Sequence, residues 1–161
     1  MANEENMWTL DALLKATGGE LLAKGKEHCF LGISTDSRTL RPGELFVALV
    51  GENFDGHRFV EQAASSGATG AVVALKEAGE LDTRALQISV IGVSDTLRAF
   101  GDLAGYWRSQ YSIPVVAITG SNGKTTTKEM VATILSRSWK VLKNHGTFNN
   151  LSMSIRIVLL S

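Results

Sequence analysis

The sequence predicts an α/β protein. A small mixed α/β N-terminal domain occupies residues 1–110, and the start of a parallel-sheet domain of P-loop type occupies 111–161. Three observations predict this. Short apolar runs rich in β-branched residues alternate with amphipathic stretches from Trp8 to about residue 110. The segment Tyr111-Ser-Ile-Pro114 is the single linker-like punctuation before the glycine-rich turn that begins at Thr119. Directly after it, the apolar run Val115–Ile118 breaks at Thr119-Gly-Ser-Asn-Gly123, and helical spacing of Met130, Val131, Ile134 and Leu135 follows.

Taken in order, Thr9 is placed to cap a first helix with Leu10, Leu13 and Leu14 on one face, and Gly18-Gly19 ends it. Leu21-Leu22 and Cys29–Ile33 read as short strands, with Cys29 expected as a buried structural thiol. A polar loop, Ser34–Gly43, closes on a Pro-Gly turn before the buried strand Glu44–Val50. Gly51–His57 is a loop. Arg58–Ser66 is expected to be helical, with Phe59, Val60, Ala63 and Ala64 inward and Gly67 as the stop. Ala71–Leu75 and Gln87–Val93 are strands. Asp95 caps a helix whose inward face is read as Leu97, Phe100, Ala104 and Trp107. Beyond the glycine-rich turn, Lys140–Asn144 is the next strand. The apolar run Ile155–Leu160 is expected to lack cover.

Composition narrows the function classes. Sixteen basic and sixteen acidic residues cancel, so no general field draws the chain to nucleic acid or to anionic lipid. One cysteine excludes an internal disulfide framework and suits a reducing compartment. The start, Met-Ala-Asn-Glu-Glu-Asn, is acidic and polar, unlike a secretory signal, and the apolar run Leu45–Val50 is far too short to span a bilayer. A cytoplasmic protein is expected, with no oligomeric state implied. Trp8, Trp107 and Trp139 read as packing residues, since no basic stripe accompanies them.

The chemistry concentrates after Pro114. A strand, a glycine-rich turn and a helix N-terminus make an anion site, because the first-turn N–H groups have no intrahelical acceptor and the helix dipole favours negative charge there. Gly120 and Gly123 permit the turn; Ser121, Asn122, Thr125 and Thr126 border it. Lys124 adds a mobile cation for outer phosphates, and the Thr125 hydroxyl is placed to hold Mg²⁺. The strict P-loop pattern has glycine where this chain has Ile118, so the form here is T-G-x-x-G-K-T. In the N-terminal region, Ser37 can hydrogen-bond a base or phosphate and Arg38 can offer a forked donor to phosphate. Taken alone, Asp36-Ser37-Arg38 reads as an Asp-capped turn with a surface arginine.

The run Thr119-Gly-Ser-Asn-Gly-Lys-Thr-Thr-Thr-Lys-Glu-Met130 resembles the ATP loop of the Mur ligases, enzymes that build the peptide stem of bacterial cell-wall precursors. Within that family, the form with Ser121 is most similar to the loop of the member that adds D-alanyl-D-alanine to UDP-N-acetylmuramoyl-tripeptide. Asp36-Ser-Arg38, Arg41–Gly51, Asp55-Gly-His57 and Ala64-Ser-Ser-Gly-Ala68 resemble the family's N-terminal domain that binds the UDP part of the substrate. His57 is a further candidate there or a cap for the following helix. Thr147-Phe-Asn-Asn150 matches the family's Asn-x-Asn-Asn segment at Asn149 and Asn150, with Thr147 in place of the first asparagine.

The resemblance implies an ATP- and Mg²⁺-dependent ligase. ATP phosphorylates a substrate carboxylate to an acyl phosphate, and an amine displaces the phosphate, with Lys124 as the catalytic cation. It implies Gly120–Thr126 as the ATP site, Thr125 as metal ligand, and Ser37, Arg38, Asn149 and Asn150 as substrate contacts. Past Asn150 the sequence departs from the family pattern and ends without counterparts of the family's later parts. The expectation is therefore an incomplete ATP-binding domain, inactive alone, with its final third poorly ordered or self-associating. Two alternatives stay open: a non-catalytic module holding nucleotide or UDP-sugar, and the related ligase that adds the third stem residue.

Overall fold

The computed structural model describes residues 8–51, 54–143 and 156–160, the last stretch as backbone only. The chain divides into two compact units, Met1–Ser109 and Gln110–Ser161.

In the first unit the elements run β1 (Trp8–Thr9), α1 (Leu10–Thr17), β2 (Glu20–Ala23), β3 (Cys29–Phe30), β4 (Ile33–Ser34), β5 (Leu45–Val47), β6 (Val50–Gly51) and β7 (Phe54–Asp55). A 3-10 turn (Gly56–Phe59), α2 (Val60–Ser65), β8 (Gly70–Ala74), β9 (Ser89–Val93) and α3 (Thr96–Ser109) follow. The main sheet has the order β2-β9-β8-β5-β4. Strands β4, β5, β8 and β9 run parallel, and β2 closes one edge antiparallel to β9.

The apolar strands are continuous because both faces are covered. Side chains alternate across the sheet. Leu45, Val47, Val72, Ile91 and Val93 join Leu13 of α1 and Ala99 and Leu103 of α3 on one face. Phe46, Ala48, Ala71, Val73 and Val90 join Val60 and Ala63 of α2 on the other. The result is a sheet between two helical layers.

Local signals mostly fix the ends. The Thr9 hydroxyl accepts from Ala12 N at 3.2 Å, and Gly18 leaves α1 in the left-handed region at φ 61°. Asp95 caps α3, accepting from Leu97 N and Arg98 N.

Four readings in this unit change. The stretch Cys29–Ile33 is two short strands, and in β3 the alternation turns Phe30 into the core and Cys29 to solvent, so the thiol is exposed. The run expected as one strand to Val50 ends at Val47, and Val50 lies exposed in the small β6–β7 hairpin. The buried stripe of α3 is Thr96, Ala99 and Leu103, with Phe100 exposed. One position on a helix is a rotation of about 100°, and the Asp95 cap fixes which face α1 and the sheet receive. Asp55, not His57, caps the turn that precedes α2.

In the second unit, β10 (Val115–Ile118), α4 (Lys124–Leu135), β11 (Val141–Lys143) and β12 (Arg156–Leu160) form a three-stranded sheet, order β10-β12-β11, with α4 packed on it. The strand at Val115 forms as expected, but its neighbour differs. The closing apolar run is the middle strand, antiparallel to both β10 and β11. Its content of Ile157, Val158, Leu159 and Leu160 suits a central strand, and the next strand along the chain, β11, pairs with it rather than with β10. Trp139, expected as packing, is half exposed, as are Met130, Ile134 and Leu142.

Candidate functional site

The glycine-rich turn after β10 is built by the local geometry the sequence implied. Val115–Ile118 extends, the chain turns at Gly120 (φ 149°), and Gly123 (φ 74°) starts α4 from the left-handed region. A Cβ at Gly123 would meet no atom within 4 Å, so the backbone conformation, not space, calls for glycine there. No side chain caps this helix. The first ladder bond runs from Thr127 N to the Gly123 carbonyl at 2.9 Å. The N–H groups of Lys124, Thr125 and Thr126 therefore lie in the turn that has no intrahelical acceptor.

Lys124 folds back over the loop. Its ammonium donates to the Gly120 carbonyl and, at 3.2 Å, to the Ser121 carbonyl. These are loop oxygens that a bound phosphate oxygen can replace as acceptors. Ser121, Asn122, Thr125 and Thr126 are exposed on the same turn. The donor set fits a nucleotide phosphate with Mg²⁺: N–H groups and an ammonium for the anion, and one hard hydroxyl oxygen, Thr125, for the cation. Among the described residues no cluster of three or more His, Cys, Asp or Glu side chains forms a metal site. Asn149 and Asn150 lie outside the described residues.

In the first unit, Ser37 and Arg38 sit side by side on the loop after β4 but face opposite ways. Ser37 is buried at 7% exposure, and its hydroxyl donates to Gln62 Oε1 on α2 at 3.2 Å. Arg38 projects into solvent and forks onto Asp36, Nε to Oδ1 at 2.9 Å and Nη2 to Oδ2 at 2.7 Å. The guanidinium holds the Asp36 carboxyl down to about 2. The Ser34 hydroxyl donates to the Asp36 carbonyl and accepts from Asp36 N, and Glu44 accepts from Arg41 N. The loop is thus rigidly wired, with one exposed fork of donors.

His57 is buried, and both ring nitrogens are engaged. Ala74 N donates to Nε2 at 2.9 Å, so Nε2 carries no proton and Nδ1–H donates to Asp55 Oδ1 at 2.6 Å. A ring so occupied is not a free base; it ties the turn after β7 to the end of β8. A cavity of about 410 Å³ opens beside it, lined by Asp55, His57, Arg58, Glu61, Glu77, Glu80 and Leu81. Four carboxylates against one guanidinium give it the wrong sign for a diphosphate.

Sequence reasoning missed Gln62 as the partner of Ser37, and it misjudged Lys128. The helical spacing of Met130, Val131, Ile134 and Leu135 leaves that lysine off the apolar face, but it is 4% exposed, with its ammonium 3.1 Å from Glu129. It lies four residues after Lys124 and four before Ala132, which is also buried. That spacing was the available signal. The stripe actually covered, Lys128, Val131, Ala132 and Leu135, is rotated away from Met130 and Ile134.

Comparison with known proteins places these loops in context. Residues 30–108 match the model of the Mur ligase family, catalytic domain, and residues 118–159 match the Mur ligase middle domain. The UDP-N-acetylmuramoyl-tripeptide–D-alanyl-D-alanine ligase of Escherichia coli K12 is 43% identical over 144 residues, 88% of this chain and 29% of that protein. The structure of UDP-N-acetylmuramoylalanyl-D-glutamyl-2,6-diaminopimelate–D-alanyl-D-alanyl ligase from Acinetobacter baumannii superposes with a TM-score of 0.71 at 39% identity. The match covers 83% of this chain and 29% of that one. The MurF ligase of Thermotoga maritima in complex with ADP gives a TM-score of 0.60 at 31% identity, over 73% of this chain and 26% of that one. The chain spans under a third of the length of the relatives it matches. With two successive family domains matched and the glycine-rich turn formed between strand and helix, the chain belongs to the Mur ligase family.

Proposed function

We propose that this chain is the substrate-nucleotide and ATP-loop portion of a ligase that joins D-alanyl-D-alanine to UDP-N-acetylmuramoyl-tripeptide. The observation that carries the reading is the uncapped N-terminus of α4 behind Gly123, with the Lys124 ammonium over the turn, in a chain 43% identical to a ligase of that name. Bound ATP supplies the phosphoryl group that activates the substrate carboxylate. The amides of Lys124, Thr125 and Thr126 and the Lys124 ammonium hold the phosphates and spread their charge; Thr125 offers its hydroxyl to Mg²⁺. In the first unit, Arg38 exchanges its fork on Asp36 for the diphosphate of the UDP group, while Ser37, buried and bonded to Gln62, serves that ligand by holding the loop that presents Arg38. Asn149 and Asn150 are assigned to the substrate by motif alone. Residues 1–110 serve the UDP substrate and 111–161 the ATP site. The reaction supplies a cell-wall precursor in the cytoplasm, and cell shape and division draw on it.

The test is a titration of the chain with UDP-N-acetylmuramoyl-tripeptide followed by amide NMR. Saturable shifts between residues 34 and 57, weakened in Arg38→Met, are expected; a titration that leaves this stretch unmoved contradicts the assignment. In the whole ligase, ATP-dependent phosphate release with D-alanyl-D-alanine, and none with a diamino acid in its place, separates this reading from the ligase for the third stem residue.

A further inference from the structure

Helix α4 carries the phosphate loop, and what holds it against its sheet sets where the loop's donors point. The buried stripe of α4 includes a lysine, Lys128, whose side chain is 5% exposed. An ammonium kept from water requires an anion within reach. Glu129 supplies one: its Oε1 lies 3.1 Å from Lys128 Nζ, and its Oε2 accepts from Lys143 Nζ at the end of β11. One carboxylate thus bridges a lysine of the helix and a lysine of the sheet. The two ammoniums hold the Glu129 carboxyl below the ordinary carboxylate range, Lys143 contributing most and Lys128 next.

Position explains why this matters. Lys128 is one turn from Lys124, and Glu129 is five residues from it, within the first two turns of the helix. The contact to Lys143 spans fourteen residues of sequence and joins two different elements. Helices packed by small or half-buried side chains such as Ala132, Val131 and Leu135 can slide and roll on a sheet. The bridge is buried at its Lys128 end and open to solvent at Glu129 and Lys143, and the buried end, which must keep its anion, favours one register.

We propose that Glu129 is a positioning residue for the nucleotide site. By joining Lys128 to Lys143 it fixes α4 on β11, and so aims the amides of residues 124–126 and the Lys124 ammonium. The proposal rests on the nucleotide reading of the loop above. It makes a prediction that charge alone does not. If these groups acted only through their field on the phosphates, Glu129→Gln would tighten nucleotide binding and Lys143→Gln would weaken it. If they act through the bridge, both substitutions weaken it.

The experiment is calorimetric titration of the full chain and its variants with Mg-ADP. Glu129→Gln and Lys143→Gln are each expected to bind about fivefold more weakly than the unmodified chain, and the double variant no more weakly than the worse single one, since all break one bridge. Lys143→Arg, which keeps a donor, is expected to retain most of the affinity. Amide NMR on each variant confirms folding by the dispersed peaks of the second unit. Should Glu129→Gln unfold that unit, Glu129→Asp, which keeps the charge but shortens the reach, gives the same reading at smaller amplitude. Unchanged or tighter binding in Glu129→Gln or Glu129→Asp, or additive losses in the double variant, overturns the proposal while leaving the nucleotide reading intact. No Mg-ADP binding by the unmodified chain overturns both.

Discussion

Replacing His57 by alanine is expected to destabilise the first unit by about 3–5 kcal/mol, and the value follows from what the ring touches. Strand β5 pairs with β8 only as far as Val47, and Ala48 N donates to the Val72 carbonyl. Beyond that point β8 continues, and the buried Ala74 N–H is taken by His57 Nε2 instead of by a strand. Removing the ring strands that N–H, at about 1–3 kcal/mol. It also removes the Nδ1–H bond to Asp55, at about 1 kcal/mol for a partly exposed partner, and leaves an unfilled space at a site 6% exposed. The assay is thermal or urea unfolding followed by tryptophan fluorescence, because Trp8 is buried and stacked on Trp107 at 5.1 Å in this unit. A drop in Tm of more than about 10 °C is expected for a unit of this size. His57→Gln, whose amide oxygen can accept from Ala74, is expected to recover part of the loss. A change of less than about 1 kcal/mol in His57→Ala would refute the reasoning, since no buried donor could then have been stranded.

Four further outcomes follow from the first unit. Gly70→Ala places a Cβ 2.5 Å from Phe30 Cε1 and 2.9 Å from Leu45 Cδ1, both fully buried, so urea titration should show a loss of about 1–3 kcal/mol. Gly92→Ala meets Leu75 Cδ2 and, at 2.9 Å, Leu22 Cδ1, but Leu75 is 42% exposed and Leu22 only partly buried on the edge strand β2, so both can shift and the cost is expected to be the smaller of the two. Thr69→Val removes a buried hydroxyl oxygen that has no hydrogen-bond partner among the described residues, and is expected to be neutral or to raise Tm slightly. The Asp55 carboxyl is held below its ordinary value of 3.8, first by the backbone N–H of His57 and then by its ring. A depressed folded value gives stability that is present above the unfolded value and lost as pH falls through the folded one. Tm measured downward from pH 5 should fall below pH 3.8, and less steeply in Asp55→Asn.

What was legible in the sequence was whatever depends on neighbours along the chain. The Thr9 and Asp95 caps, the glycine stop at Gly18, and the strand-turn-helix around Gly123 all appear where local chemistry puts them. What was not legible depends on which side of an element meets the core. The inward faces of α3 and α4 were each misread by about one position, which exposed Phe100, Met130 and Ile134 and buried Lys128. Apolar character alone does not choose between adjacent stripes when a cap or a packing partner fixes the rotation. Pairing across distance was also out of reach. Gln62 holding Ser37, His57 completing the ladder at Ala74, and β12 entering between β10 and β11 each join residues remote in sequence.

The central claim is that the turn Gly120–Thr126 grips nucleotide phosphates, and calorimetry of the chain with Mg-ATP against Lys124→Ala tests it most directly. Loss of the ammonium removes a charge-assisted contact of roughly 1.5–3 kcal/mol, so the account predicts saturable binding that weakens about ten- to a hundredfold in the variant. Equal Mg-ATP affinity in the two proteins would contradict it.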